Sequence, residues 1–164
     1  MAKGNTQDNR QKVIDLLNEG RASELGAILQ YMAHHYELED TDYGKLAKIM
    51  KTVAIEEMKH AEKLAERILF LGGVPTTKPT PEVKKGQAIP QMLATDKALE
   101  QGAVDMYNHH ARACADLGDQ VSKDIFEELL GQEEAHWDQF DTIADHIEKI
   151  GAPYMATLTG GSAE

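Results

Sequence analysis

Apolar residues recur at three- and four-residue spacing along four stretches of the chain, and near the middle of each stretch a glutamate interrupts the stripe. The first stretch reads Leu17, Gly20, Glu24, Ala27, Tyr31, His34, Leu38, and the second Leu46, Met50, Val53, Glu57, His60, Leu64, Leu71. The third reads Leu93, Glu100, Ala103, Tyr107, His110, Cys114, Leu117, and the fourth Phe126, Leu129, Glu133, His136, Phe140, Ile143, Ile147. This spacing predicts helices over about 7–37, 42–71, 91–117 and 119–150. A short helix over about 153–158 follows Gly151-Ala-Pro. Residues 72–90 hold four of the five prolines and read as a polar connection. The expectation is an all-α four-helix bundle forming a single domain over 1–164.

The two halves of the chain match at a fixed offset of 76 residues. Glu24 pairs with Glu100, Tyr31 with Tyr107, His34 with His110, Glu57 with Glu133 and His60 with His136. Each half is therefore a helical hairpin with a glutamate on its first helix and Glu-x-x-His on its second. In an antiparallel hairpin, residues equidistant from the turn lie level. The midpoint of Glu24 and Glu57 is 40.5, inside the Asp40-Thr41-Asp42 turn signal, and that of Glu100 and Glu133 is 116.5, beside Gly118-Asp119. Both glutamate pairs thus fall level. The long second connection, at ~3.3 Å per residue, can cross a ~45 Å helix, which makes the second and third helices parallel.

Burying four glutamates is costly unless something neutralises them. Glu-x-x-His places both side chains on one face, so Glu24, Glu57, His60, Glu100, Glu133 and His136 can share one cavity. Two divalent cations balance four carboxylates, and carboxylate with imidazole suits iron or manganese better than a thiolate-preferring structural zinc. This donor set resembles the one that ferritin-like di-iron and di-manganese bundles carry. A solvated Glu-x-x-His is common singly, but two copies on buried seams leave a metal-free core improbable.

Composition narrows the rest. Hydrophobic residues make up 41% and charged residues 27%, as in an ordinary globular chain. The net charge of −11 disfavours a nucleic-acid partner and suits attraction of cations. No run approaches the ~20 apolar residues of a membrane span. The polar N-terminus lacks a signal-peptide core, so a cytoplasmic location is expected. The lone Cys114 allows neither an intrachain disulfide nor a four-cysteine metal site.

The segments ELGAILQY, AIEEMKHAEKLAERILFLGG, DKALEQGA and LLGQEEAHWDQFDTI resemble those of bacterioferritins over nearly the whole chain. The resemblance implies a ferritin-like bundle with a long crossover, acting as a ferroxidase that oxidises Fe(II) with oxygen or peroxide. Two iron ions per subunit would be held by Glu24 and His60 on one side and Glu100 and His136 on the other, bridged by Glu57 and Glu133. Tyr31 and Tyr107 would back these ligands. It further implies iron storage inside a hollow 24-mer built from dimers, with a small ferredoxin as partner for iron release. Met58, in EEMKH, would be the axial ligand of a haem-type iron porphyrin, one per subunit pair. Ile55, Met58, Ala65 and Leu69, with Leu25, Ile28, Leu29, Met32 and Tyr36, form a second apolar stripe fitting such an interface. Two positions depart from the family pattern: Thr52 stands where a histidine serves an inner-surface iron site, with Glu56 kept nearby, and Trp137 directly follows His136. The competing readings are a rubrerythrin-like peroxidase, a di-manganese catalase, or a metal-free helical scaffold.

Overall fold

The computed structural model describes residues 2–161, with side chains from Thr6 onward. Five helices follow one another: α1 (Ala2–Asp40), α2 (Gly44–Phe70), α3 (Ile89–Asp116), α4 (Gln120–Ile150) and α5 (Ala152–Thr157). Among the described residues there is no strand. The four long helices match the expected bundle. α1 starts five residues before the predicted boundary because its first turns are polar and carry no apolar period to mark them.

Both tight turns use the chemistry that the sequence offers. Asp42 takes a left-handed φ of 64° between α1 and α2, and the Tyr43 amide donates to the Leu38 carbonyl at 2.9 Å. At the second turn Gly118 has φ 82°, where a Cβ would strain the backbone, and the Asp119 amide reaches the Cys114 carbonyl at 2.9 Å. Asp119 then caps α4 by accepting from the Ser122 amide at 2.9 Å. The same carboxylate takes Arg67 Nη2 at 2.8 and 3.0 Å, which ties the end of α2 to the start of α4.

The crossover is strapped along α1. Asn18 receives the Thr76 amide at 2.7 Å, Ala22 accepts from Thr80 at 3.0 Å, Gln30 exchanges two bonds with Lys84, and Glu37 accepts from Gly86 at 3.0 Å. These partners ascend α1 toward its C-terminal end, so α3 starts at the end where α2 starts and runs parallel to it. At Gly26 the approach is so close that a Cβ would lie 2.1 Å from the Thr80 carbonyl oxygen. Only glycine fits there.

Two apolar clusters fill the bundle. Leu38, Leu46, Met50, Leu93, Phe140 and Ile143 form one, and Val13, Leu17, Leu64, Ile68, Phe126 and Leu129 the other. Between them lies a polar layer. After α5, Leu158 buries against the first cluster and the Gly160 amide donates to Asp42 at 2.9 Å, folding the tail back onto the first turn.

Candidate metal centre

The polar layer is where the four interrupted seams meet. Glu24, Glu57, His60, Glu100, Glu133 and His136 are each at least 94% buried, one from α1, two from α2, one from α3 and two from α4. Candidate ligand atoms of Glu24, Glu57, His60 and Glu133 lie within 4.8 Å of one another, and so do those of Glu57, Glu100, Glu133 and His136. The two groups share Glu57 and Glu133. The structure therefore brings all six residues together, three from each hairpin.

The histidines turn Nδ1 inward. His60 Nδ1 is 2.7 Å from Glu57, 2.9 Å from Glu133 and 3.7 Å from Glu24. His136 Nδ1 is 2.9 Å from Glu57, 3.7 Å from Glu100 and 3.8 Å from Glu133. The two rings stack at 5.8 Å. Despite this proximity, both Nδ1 atoms, both oxygens of Glu57, Glu100 Oε2 and Glu133 Oε1 have no aligned hydrogen-bond partner. Buried acceptors left this way are costly. They point at one another across a space that divalent cations would fill, and the hard oxygen donors with borderline imidazoles fit iron or manganese.

Protonation shows how strained the layer is without cations. Burial, then repulsion from Glu133 and Glu57, raises the Glu24 carboxyl well above its ordinary value; burial raises Glu100 as well, although His136 opposes it. Burial also acts on Glu133, but the close nitrogens of His136 and His60 outweigh it and hold the carboxylate down to about 2. Burial pulls both imidazoles down, yet the surrounding carboxylates win and raise them.

Tyr31 and Tyr107 back the layer crosswise. The Tyr31 hydroxyl donates to Glu100 and the Tyr107 hydroxyl donates to Glu24, so each tyrosine serves the opposite hairpin. Burial, and then the neighbouring Glu100 or Glu24 charge, keeps both phenols well above their usual value, so they remain donors. Phe140 packs on Tyr31 and Phe126 on Tyr107.

Several polar partners carry no motif. His34 Nδ1 bonds Asp96 Oδ2 at 3.1 Å, both side chains wholly buried, while Gln30 donates to His34 Nε2 at 2.8 Å. Asp96 sits one turn before Glu100, the one sequence signal that marks it. Of the two His-His pairs, His110 is buried beside an exposed His109, whereas His34 and His35 are both buried. His35 is 4% exposed, with Nδ1 2.8 Å from the Ala47 carbonyl oxygen, because the α1–α2 contact is broad enough to cover it. Thr52 is exposed and bonds back to Lys48 at 2.9 Å; Trp137 is half-buried under the Lys97 ammonium.

Met58 lies apart from the six. It is 45% exposed in a surface groove of about 530 Å³ with Leu25, Ile28, Ile55 and Ala65. Arg21, Lys59 and Glu62 line the same groove, so its apolar floor has a charged rim.

The ferritin-like domain family matches residues 14–150. A bacterioferritin of Desulfovibrio desulfuricans is 44% identical over 157 residues, 96% of this chain and 88% of that one. A bacterioferritin of Brucella melitensis is 39% identical over 153 residues, 93% and 95% of the respective chains. Among solved structures, a D. desulfuricans bacterioferritin, described with its di-iron site in different catalytic states, superposes with a TM-score of 0.92 at 42% identity. That match covers 97% of this chain and 96% of the other. Fold, polar layer and kinship agree, and the chain belongs to the bacterioferritin family.

Proposed function

We propose that this chain is an iron-storage ferroxidase. It takes up Fe(II) as substrate, oxidises it at the polar layer, and delivers Fe(III) to the interior of a hollow 24-mer built from dimers. The observation that carries this reading is the set of buried, unpartnered carboxylate and imidazole atoms aimed at one another in two groups that share Glu57 and Glu133. Bound as a pair, iron supplies two electrons, one from each ion, to dioxygen or peroxide.

The protein's own residues prepare that exchange. Glu24 and His60 would hold one ion and Glu100 and His136 the other, with Glu57 and Glu133, common to both groups, available to each. The bonds from Tyr107 and Tyr31 fix the carboxylates of Glu24 and Glu100. The two apolar clusters above and below exclude water, so the carboxylates attract cations strongly. Protons held by the layer leave as cations enter.

In the groove, Met58 from each of two paired subunits would hold one haem-type porphyrin through both sulfurs. A cytoplasmic location and a small ferredoxin as electron donor for iron release complete the proposal. Among the described residues no helix is long and apolar enough to cross a membrane.

Anaerobic Fe(II) titration followed by oxygen tests the reading. Two Fe(II) per chain should bind and oxidise, and excess iron should accumulate as a retained ferric product. Peroxide turnover without retained ferric product would assign a peroxidase or catalase instead. Unchanged metal content in Glu57→Ala and Glu133→Ala would leave only a scaffold. For the haem, Met58→Leu should purify without porphyrin absorbance.

A further inference from the structure

The 76-residue repeat also pairs Glu56 with Gln132, each directly preceding a carboxylate shared by the two metal groups. Across the α2–α4 interface each reaches the histidine of the other helix. Glu56 Oε2 accepts from His136 Nε2 at 2.7 Å, and Gln132 Oε1 accepts from His60 Nε2 at 2.9 Å. Both bonds settle the same tautomer, leaving Nδ1 as the inward atom. The geometry is repeated, but the charge is not: one histidine leans on a carboxylate and the other on an amide.

Both metal groups offer three carboxylates and one imidazole. Donor type therefore cannot separate them, and the hydrogen bond behind each imidazole becomes the difference. A carboxylate accepting the outer N–H makes the opposite nitrogen a stronger donor than an amide does. Glu56 and His136 also line a cleft of about 510 Å³ with Gln132 and Gln139. Because Glu56 is half-exposed there, water screens its charge and keeps the effect moderate.

We propose that Glu56 and Gln132 are positioning residues that rank the two metal positions, so that the one completed by His136 takes a divalent cation before the one completed by His60. The inference rests on the di-metal reading of the centre.

Cobalt(II) titration of the metal-stripped full chain, followed by its visible absorption, tests it without any turnover. The wild-type protein should bind two ions in steps separated by on the order of 10-fold in Kd. Glu56→Gln should merge the steps by weakening the tighter one, whereas Glu56→Asp should keep them apart. Gln132→Glu should merge them by tightening the weaker one, a gain that damage to the fold does not produce. The double variant E56Q/Q132E should separate them again. Equal wild-type steps, or a Gln132→Glu titration identical to wild type, would overturn the ranking while leaving the metal centre intact. Failure to bind cobalt at all would remove the di-metal reading and the ranking with it.

Discussion

Tyr31 and Tyr107 sit on the same seams as the carboxylates, and that much is visible in the 76-residue repeat. Their partners are not. Along α1, Tyr31 lies two turns above Glu24, yet its hydroxyl serves Glu100, because the antiparallel neighbour α3 brings that residue to its height. Spacing within one helix carries no information about which helix lies beside it. Tyr31→Phe leaves a buried carboxylate oxygen without its donor and should destabilise the metal-free protein by about 1–3 kcal/mol, read from the denaturant midpoint. Tyr107→Phe should behave alike at Glu24. His110 gives a pH effect of known sign. Burial, with His109 beside it, holds His110 down to about 4, against an ordinary value near 6.5. Glu19 lies 3.2 Å from its Nε2 but is largely exposed, so water screens that attraction. Between these values the unfolded chain binds a proton that the folded chain refuses, so stability falls as pH drops from 6.5 to 4. Denaturation of metal-free His110→Gln at both ends of that window should show a smaller loss than wild type.

The four long helices were legible because a three-four period needs only apolar spacing, and their ends because Asp42, Gly118 and Asp119 announce turns. The level glutamates followed from the same turns. The path of the crossover was not legible beyond its length, since it is set by contacts such as Arg21 to the Thr76 carbonyl and by the missing side chain at Gly26. Gly26→Ala would press a methyl into the Thr80 carbonyl and lift the strap from α1. The expected cost is about 1–3 kcal/mol, with faster proteolysis of residues 74–86 as the accompanying sign. Asp119→Ala removes the α4 cap and leaves Arg67 without its carboxylate; a loss of about 1–2 kcal/mol in thermal or chemical unfolding is expected.

At the scale of the molecule, two apolar clusters flank one charged slab. Cations that bind the folded chain and not the unfolded one stabilise it by about 2.7 kcal/mol at a hundredfold excess over Kd. Chelator-treated protein should therefore gain thermal stability when cobalt(II) returns, and the double variant Glu57→Ala, Glu133→Ala should not. The kind of chemistry in the slab was readable from residue types alone, whereas Gln30, Asp96 and Gln132 were hidden by looking like ordinary surface polars. Each cluster of candidate ligands draws on both hairpins: Glu133 completes the group with Glu24, Glu57 and His60, and Glu57 completes the other. Neither half of the chain owns a finished pocket. Completing either group therefore depends on the union of the two halves: the first hairpin alone offers Glu24, Glu57 and His60 but lacks the Glu133 that closes their set.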